Sequence, residues 1–296
     1  MRGKGMIDDY IAIDWGSTQL RAWHVQHGDC IHSLNLPVGV SRLKGQAPRD
    51  IFQRYIAPWR GNRNIPVMMA GMIGSEAGWQ TVPYLDCPVR LEDIGSQCQR
   101  VDENVWIVPG LKTVRDGACN VMRGEETQLL GAAQLSPASC YVLPGTHCKW
   151  VWSPQASIED FTTVMTGELH HLLLSHSLIG HALPEQQEDA AAFRQGLATG
   201  VDSPALLPKL FETRARWLLG ALKKESVSDY LSGLLIGAEL ATQTGQRQPS
   251  SVTLVGAEPL LMRYQAAFDL LGITVSQCSG DSAFLQGIKR IINDGY

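Results

Sequence analysis

An apolar run that breaks at a small-residue turn and resumes as a Trp-containing second run occurs twice in this chain, and this repetition constrains the fold more than any other feature. The first copy is Tyr10-Ile-Ala-Ile-Asp-Trp-Gly-Ser-Thr-Gln-Leu-Arg-Ala-Trp23 and the second is Tyr141-Val-Leu-Pro-Gly-Thr-His-Cys-Lys-Trp-Val-Trp152. In the first turn Gly16, Ser17 and Thr18 offer backbone N–H groups and hydroxyls to phosphate oxygens, and Asp14 at the strand end can hold Mg²⁺ directly or through water. In the second, Gly145 and Thr146 repeat the turn after Leu143-Pro144. A further strand follows each hairpin, around Cys30–Leu36 and Ile158–Val164, so both halves open with three consecutive strands. Two such hairpins facing each other would clamp one polyphosphate.

The rest of each half alternates strand and helix, which argues an α/β fold with mixed sheets. Pro48–Arg60 reads as a short helix and Ile65–Ala70 as a buried strand, with the glycine-rich stretch Gly71–Trp79 just past its C-terminal end, where open α/β sheets bind ligands. Asn104–Val108 is the next strand, a polar loop runs through Asn120, and a helix follows from about Arg123 to Gln134. A domain boundary is expected near Pro137, dividing the chain into 1–137 and 138–296. The second half reads as helices over Gln186–Gly196, Ala205–Lys223 and Asp229–Gln243, strand Ser251–Val255, helix Glu258–Leu271, a short strand Ile273–Val275 and a last helix capped by Ser279 or Asp281.

A formal net charge of −4 without a dense Lys/Arg run gives no footprint for nucleic acid or an anionic membrane. The seven cysteines are scattered and never in Cys-x-x-Cys spacing, as expected of reduced thiols in the cytoplasm. Met1 to Asp9 precede only a short apolar strand interrupted by Asp14, so neither a signal-peptide core nor a membrane span is expected; Met6 is an alternative start after a loose lead.

With these features in place, the chain resembles the superfamily of acetate and sugar kinases, Hsp70 and actin, in which two ribonuclease-H-like domains close over a nucleotide cleft. Asp14–Thr18 resembles its first phosphate loop, Leu143–His147 the second, and Leu254-Val-Gly-Ala-Glu-Pro259 the adenosine loop, which assigns Gly256, Ala257 and Glu258 to adenosine. Arg123-Gly-Glu-Glu-Thr-Gln-Leu-Leu-Gly131 resembles the Gly-Asp-Gln segment of FGGY-type carbohydrate kinases, whose Asp is the catalytic base. Together with Val108–Thr113, Leu143–Trp150 and Met165-Thr-Gly-Glu-Leu169, these segments are similar to the 2-dehydro-3-deoxygalactonate kinase family. The resemblance implies phosphorylation of the C6 hydroxyl of that keto-deoxy sugar acid by ATP with Mg²⁺ in galactonate breakdown.

Phosphoryl transfer to an alcohol needs donors around the moving group, a metal and a base. Gly16, Ser17, Thr18, Gly145 and Thr146 would form the phosphate cradle, with Asp14 on the metal side. His147, in place of the usual serine, and Lys149 could also reach a phosphate, or they could pack or face water. A base is best carried at a helix N-terminus, where the positive dipole end keeps a carboxylate ionised, and both Glu125 and Glu126 qualify. Alignment with Gly-Asp-Gln favours Glu125, yet Glu replaces Asp and the choice stays open.

The substrate carboxylate suits an Arg fork, with Arg21, Arg115, Arg123 and Lys112 as candidates, while Ser75 and Trp79 could touch the sugar. Gly110-Leu-Lys-Thr113 lacks the upstream glycine of a P-loop, and His170-His171 lacks zinc-site spacing. Rival readings are a kinase for another sugar or sugar acid such as 2-dehydro-3-deoxygluconate, a phosphatase of the same superfamily, and a sugar sensor, which would need a DNA-binding extension. The sequence leaves room for a homo-oligomer.

Overall fold

The computed structural model describes residues 7–296, so the lead segment and the alternative start at Met6 lie outside the described residues. Strands β1 (Asp9–Trp15), β2 (Leu20–Gln26) and β3 (Asp29–Leu36) run as an antiparallel meander. β1 is buried almost throughout, β2 alternates and β3 is largely exposed, which is the gradient expected from the centre of a sheet to its edge. Helix α1 (Pro48–Tyr55) covers this sheet through Ile51 and Phe52, and α2 (Ala57–Arg60) packs beside it through the partly buried Ala57 and Trp59, each helix opened by a proline in its first turn. β4 (Val67–Ala70) then enters parallel to β1 as an entirely buried apolar run.

After the short pieces β5 (Leu85–Asp86) and β6 (Val89–Arg90), strands β7 (Gln99–Asp102) and β8 (Val105–Ile107) complete a six-stranded sheet of order β3-β2-β1-β4-β8-β7. The stretch expected as a polar loop is instead a hairpin, β9 (Leu111–Arg115) against β10 (Ala118–Met122), with Arg115 opposite Ala118. Leu111, Thr113 and Met122 are buried while Val114 and Val121 face water, so the apolar side chains fall on both faces and no clean alternation marks the strands. Helix α3 (Glu125–Leu135) follows.

The second sheet repeats the first. β11 (Cys140–Leu143) and β12 (Cys148–Trp152) form the hairpin; β13 (Ser157–Ile158) and β14 (Asp160–Val164) come next. Helices α4 (Thr166–His176), α5 (Ala190–Asp202), α6 (Leu206–Leu218) and α7 (Val227–Gln246) then precede β15 (Ser251–Gly256), α8 (Glu258–Leu270) and β16 (Thr274–Ser279). The order β14-β12-β11-β15-β16 has β15 parallel to β11, just as β4 is parallel to β1. α4 has no counterpart in the sequence reading, α5 starts at Ala190 under an Asp189 cap and runs on to Asp202, and β16 is longer than the three residues expected. The pairing of β16 with β15, from Thr274 to Ser279, extends it beyond what its mixed composition suggests.

The chain divides into two compact units, with a break between Pro137 and Ala138, but the second half does not stay together: Ser153–Phe161 and the last helix, α9 (Gly280–Asp294), belong to the first unit. The reason is a close helix crossing. A Cβ on Gly131 of α3 would lie 1.8 Å from the Ala283 carbonyl oxygen, and one on Gly287 of α9 would lie 2.0 Å from that of Thr127, so only glycines allow the two backbones to approach this far. Asp281, expected as a cap, sits inside the first turn of α9 and pairs with Arg21.

Candidate active site

The first turn is braced from behind. Gly16 N–H donates to Gln19 O, and Val40 and Ser41 N–H donate to Gly16 O and Ser17 O, each at 2.9 Å. The Ser41 hydroxyl adds a 2.6 Å bond to Ser17 O. Ser17 and Thr18 remain exposed at the tip. A Cβ on Gly39 would sit 2.2 Å from Thr18 N, so the supporting segment is held in contact with the turn backbone. Gly39 went unnoticed in the sequence because only the fold brings it beneath residues 16–18.

Asp14 lies at the end of β1 and accepts from Arg21 Nη2, while Arg21 Nη1 donates to Asp281. Burial raises the Asp14 pKa above the ordinary carboxylate value, and Arg21 works against that rise. Gly71, at the end of β4, fits between this strand and α3. A Cβ there would meet Trp15 O at 2.8 Å and Asp14 Oδ1 at 3.4 Å, and a Cβ on Gly124 would meet Gly71 Cα at 3.3 Å. Both glycines have positive φ, 95° and 113°, the region that favours glycine. The ends of β1 and β4 and the start of α3 therefore converge beside the Asp14 carboxylate.

Two carboxylates open α3. Glu125 is partly exposed, and its Oε2 accepts the Arg123 N–H at 3.1 Å. Glu126 is wholly buried; its Oε2 accepts from Gly124 N–H at 2.6 Å and its Oε1 from the Thr127 hydroxyl at 3.1 Å. Burial, reinforced by the neighbouring Glu125 charge, pushes the Glu126 pKa up to about 7.

In the second unit the Gly145–Thr146 turn rests on the N-terminus of α4. Glu168 N–H donates to Thr146 O at 2.9 Å, and a Cβ on Gly167 would meet Gly145 O at 2.4 Å. His147 pairs with Glu168 at 2.6 Å. Lys149 does not face water: it is buried in β12, with Nζ donating to Thr163 Oγ1 at 3.1 Å. Gly256, the last residue of β15, approaches Pro144, and Ala257 caps α8.

A cavity of about 240 Å³ opens beside this turn. It is lined by Gly145, Gly167 and Thr166 on one side, Ser228, Ser232, Leu235 and Ile236 of α7 on another, and Leu260, Arg263 and Tyr264 of α8. Gly256, Ala257 and Glu258 do not line it, but the helix they begin does. Its mixture of apolar wall and scattered hydroxyls suits a nucleoside. Behind it, the buried Glu239 carboxylate collects donors from Trp150 Nε1 at 2.7 Å, Tyr264 OH at 2.7 Å and Thr166 Oγ1. The sequence reading passed over Glu239, which sits on an apolar helix with no motif around it.

The remaining candidates are dispersed. Arg21 has both ends of its guanidinium engaged by carboxylates. Lys112 pairs with Asp86 at 3.3 Å and Arg115 with Asp160 at 3.5 Å, both on the exposed hairpin. Trp79 packs on Phe52 with ring centroids 5.3 Å apart, as a core residue, and Ser75 Oγ donates to Met72 O at 2.7 Å. Arg123 is buried beneath the glycine-rich loop. Among the described residues no cluster of three or more His, Cys, Asp or Glu side chains forms a metal cage. A lone carboxylate, Asp14, beside a phosphate-type turn fits Mg²⁺ shared with water and phosphate oxygens, because that ion keeps several waters and takes few protein ligands.

Comparison with known proteins places this geometry. A family model described as 2-keto-3-deoxy-galactonokinase matches residues 14–291. The chain is 52% identical over 283 residues to the 2-dehydro-3-deoxygalactonokinase of Escherichia coli (strain K12), covering 95% of this chain and 97% of that protein. It superposes with a TM-score of 0.88 and 31% identity on a crystal structure from Sinorhizobium meliloti named as a candidate 2-dehydro-3-deoxygalactonokinase, covering 95% and 97% of the two chains. At 12% identity and a TM-score of 0.50, the ADPNP-bound activator of 2-hydroxyisocaproyl-CoA dehydratase from Clostridium difficile shares the fold, covering 96% of this chain and 93% of that one. The family model and the relatives thus define a carbohydrate kinase, and its two-unit α/β fold is the one it shares with that ADPNP-bound activator. Within that class, the chain belongs to the 2-keto-3-deoxy-galactonokinase family. Among the described residues no helix is long and apolar enough to cross a membrane.

Proposed function

We propose that the chain transfers the γ-phosphoryl group of ATP to the C6 hydroxyl of 2-dehydro-3-deoxy-D-galactonate, giving the 6-phosphate and ADP. The observation that carries the reading is the convergence at Gly71 and Gly124, which sets the helix N-terminus bearing Glu125 beside the strand end bearing Asp14. Mg²⁺, when bound, neutralises charge on the phosphate oxygens. Asp14 is the residue that would hold it.

Glu125 is the base. Its carboxylate is partly exposed, so a substrate hydroxyl can reach it, whereas Glu126 is sealed in and has both oxygens occupied by Gly124 and Thr127. The hydroxyl oxygen forms the new bond to phosphorus as the bond to the β–γ bridging oxygen breaks; ADP leaves with that electron pair and Glu125 takes the proton. Gly16, Ser17 and Thr18 are the phosphate donors of the first turn, and Gly145 and Thr146 are those of the second. The cavity beside Gly145 takes the nucleoside. All seven cysteines are free, which supports a cytoplasmic setting.

The test is ADP formation with Mg-ATP across 2-dehydro-3-deoxygalactonate, its gluconate epimer and neutral sugars, repeated with Glu125→Gln and Glu126→Gln. Turnover on the galactonate derivative that falls by about 10²-fold or more in Glu125→Gln alone is expected. Turnover only with a neutral sugar discards the substrate assignment, and ADP release indifferent to every acceptor makes the protein a hydrolase.

A further inference from the structure

The cavity of the second unit has two distinct ends. Gly145 and Gly167 stand at one, packed against each other, and Thr166 beside them donates to Glu239 of α7. Ser228, in the first turn of α7, marks the other, where its carbonyl oxygen accepts from His170 Nε2 at 3.0 Å. Ser228 and Ile236, both on the α7 wall, are about 12 Å apart along the helix axis. A nucleotide with its phosphates on the Gly145 turn therefore sets its base toward the His170 end.

His170 lies one turn along α4 from Thr166, half-buried, and lines the cavity. A carbonyl oxygen only accepts, so the bond to Ser228 O places the ring proton on Nε2. Burial holds the pKa of the imidazole below the usual histidine value, which favours the neutral ring with Nδ1 as a bare acceptor. Nδ1 makes no hydrogen bond among the described residues, and it is not one of the polar atoms sealed without a partner, so it is open to a ligand.

The other polar groups at this end do not share that property. The hydroxyls of Ser228 and Ser232 can both donate and accept, and Arg263 only donates. The neighbouring Asp229 is engaged through both oxygens, Oδ1 by Arg263 Nη2 and Oδ2 by the Asp189 N–H, each at 2.6 Å. Adenine carries an amino donor at the ring position where guanine carries a carbonyl acceptor, so a fixed acceptor favours the first and opposes the second. Moving the ring proton to Nδ1 to meet guanine would forfeit the bond to Ser228 O.

We infer that His170 accepts a hydrogen bond through Nδ1 from the exocyclic amino group of the base and so selects adenine over guanine nucleotides. This rests on the reading of the cavity as the nucleoside site.

The experiment is calorimetric titration of the full chain with ADP, GDP and purine riboside diphosphate, which has hydrogen in place of the amino group. Wild type is compared with His170→Phe, which keeps a ring without an acceptor, and His170→Asn, which keeps an amide oxygen, with thermal unfolding to confirm folding. Wild type should bind ADP about three- to tenfold more tightly than the analogue lacking the amino group, the range of one neutral hydrogen bond, and GDP more weakly still. His170→Phe should bring ADP and the analogue within about twofold of each other, and His170→Asn should keep part of the preference. Equal losses on ADP and the analogue would overturn the inference and make His170 a packing residue of the wall. If neither variant folds, nitrogen NMR of wild type with isotope-labelled histidines decides. An unprotonated Nδ1 resonance that moves upfield with ADP but not with the analogue supports the assignment, and none that does so overturns it. A wild type that binds none of the three nucleotides would instead remove the nucleoside reading of the cavity, which is a different outcome.

Discussion

One guanidinium spans two carboxylates from opposite ends of the chain: Arg21 on β2 donates through Nη2 to Asp14 and through Nη1 to Asp281 at the start of α9. With Asp14 proposed to hold Mg²⁺, Arg21 would compete with the ion for that carboxylate, and Asp281 would draw Arg21 away. In Asp281→Asn the guanidinium has Asp14 alone, so the Mg²⁺ concentration for half-maximal activity should rise, by up to about fivefold for an ion pair this exposed. Calorimetric titration of Mg²⁺ with a non-hydrolysable nucleotide checks the same shift without turnover; unchanged affinity in both assays would show that the pair is screened.

Gly39→Ala should damage the first phosphate turn without touching any side chain. Its Cβ would fall 2.2 Å from Thr18 N, so either the brace or the turn must move. We expect a loss of about 1–3 kcal/mol in stability, as for other overpacked sites, and a raised KM for ATP. Urea unfolding and initial-rate kinetics measure the two effects separately.

Glu126 predicts a pH dependence of stability. Its pKa rises from the ordinary carboxylate value to about 7 on folding, so the folded state holds its proton where the unfolded state has lost it. Stability from this group is complete below the unfolded-state pKa and declines as pH climbs to about 7, a span of roughly 3 kcal/mol. Glu126→Gln, whose amide can accept from Gly124 and donate to Thr127, removes the decline. Wild type and variant should be alike near pH 4.5 and diverge up to pH 8 in chemical denaturation, with the variant the more stable. Parallel curves would mean that Glu126 ionises at the same pH in the folded and unfolded states.

Removing Glu239 strands the Trp150 indole, the Tyr264 hydroxyl and the Thr166 hydroxyl together. Glu239→Ala should cost about 3–5 kcal/mol, because a buried network loses its common acceptor. The folded fraction should also bind nucleotide more weakly, since Thr166 and Tyr264 line the cavity. Fluorescence of a bound nucleotide analogue, corrected for the folded fraction, reports this.

The duplicated hairpins were legible because central strands are apolar runs and their turns carry small residues, patterns confined to a dozen neighbouring positions. So was α3, where acidic residues follow Gly124 and lead into Leu129 and Leu130. What escaped was set by distance along the chain. Gly39 looks like any loop glycine until it lies under Thr18, and Arg21 looks like a solvated strand residue until Asp281 arrives from the other end. The β9–β10 hairpin was missed for a local reason, since Val114 and Val121 point to water and blur the alternation. Trp79 and Arg123 show the same limit: sequence identifies a large side chain, and only packing decides whether it meets Phe52 or lies over Tyr84.

The crossing of α3 and α9 at Gly131 and Gly287 bears on how the protein is made. During synthesis the first unit emerges with the α9-facing side of α3 uncovered, and its missing helix leaves the ribosome only after the whole of the second unit. The second unit, complete once Ser279 has been added, can close first. A fragment ending at Pro137 would expose that bare flank to solvent and should aggregate, whereas a chain in which Gly280–Tyr296 is moved by circular permutation to precede the first strand would allow the first unit to finish before the second begins.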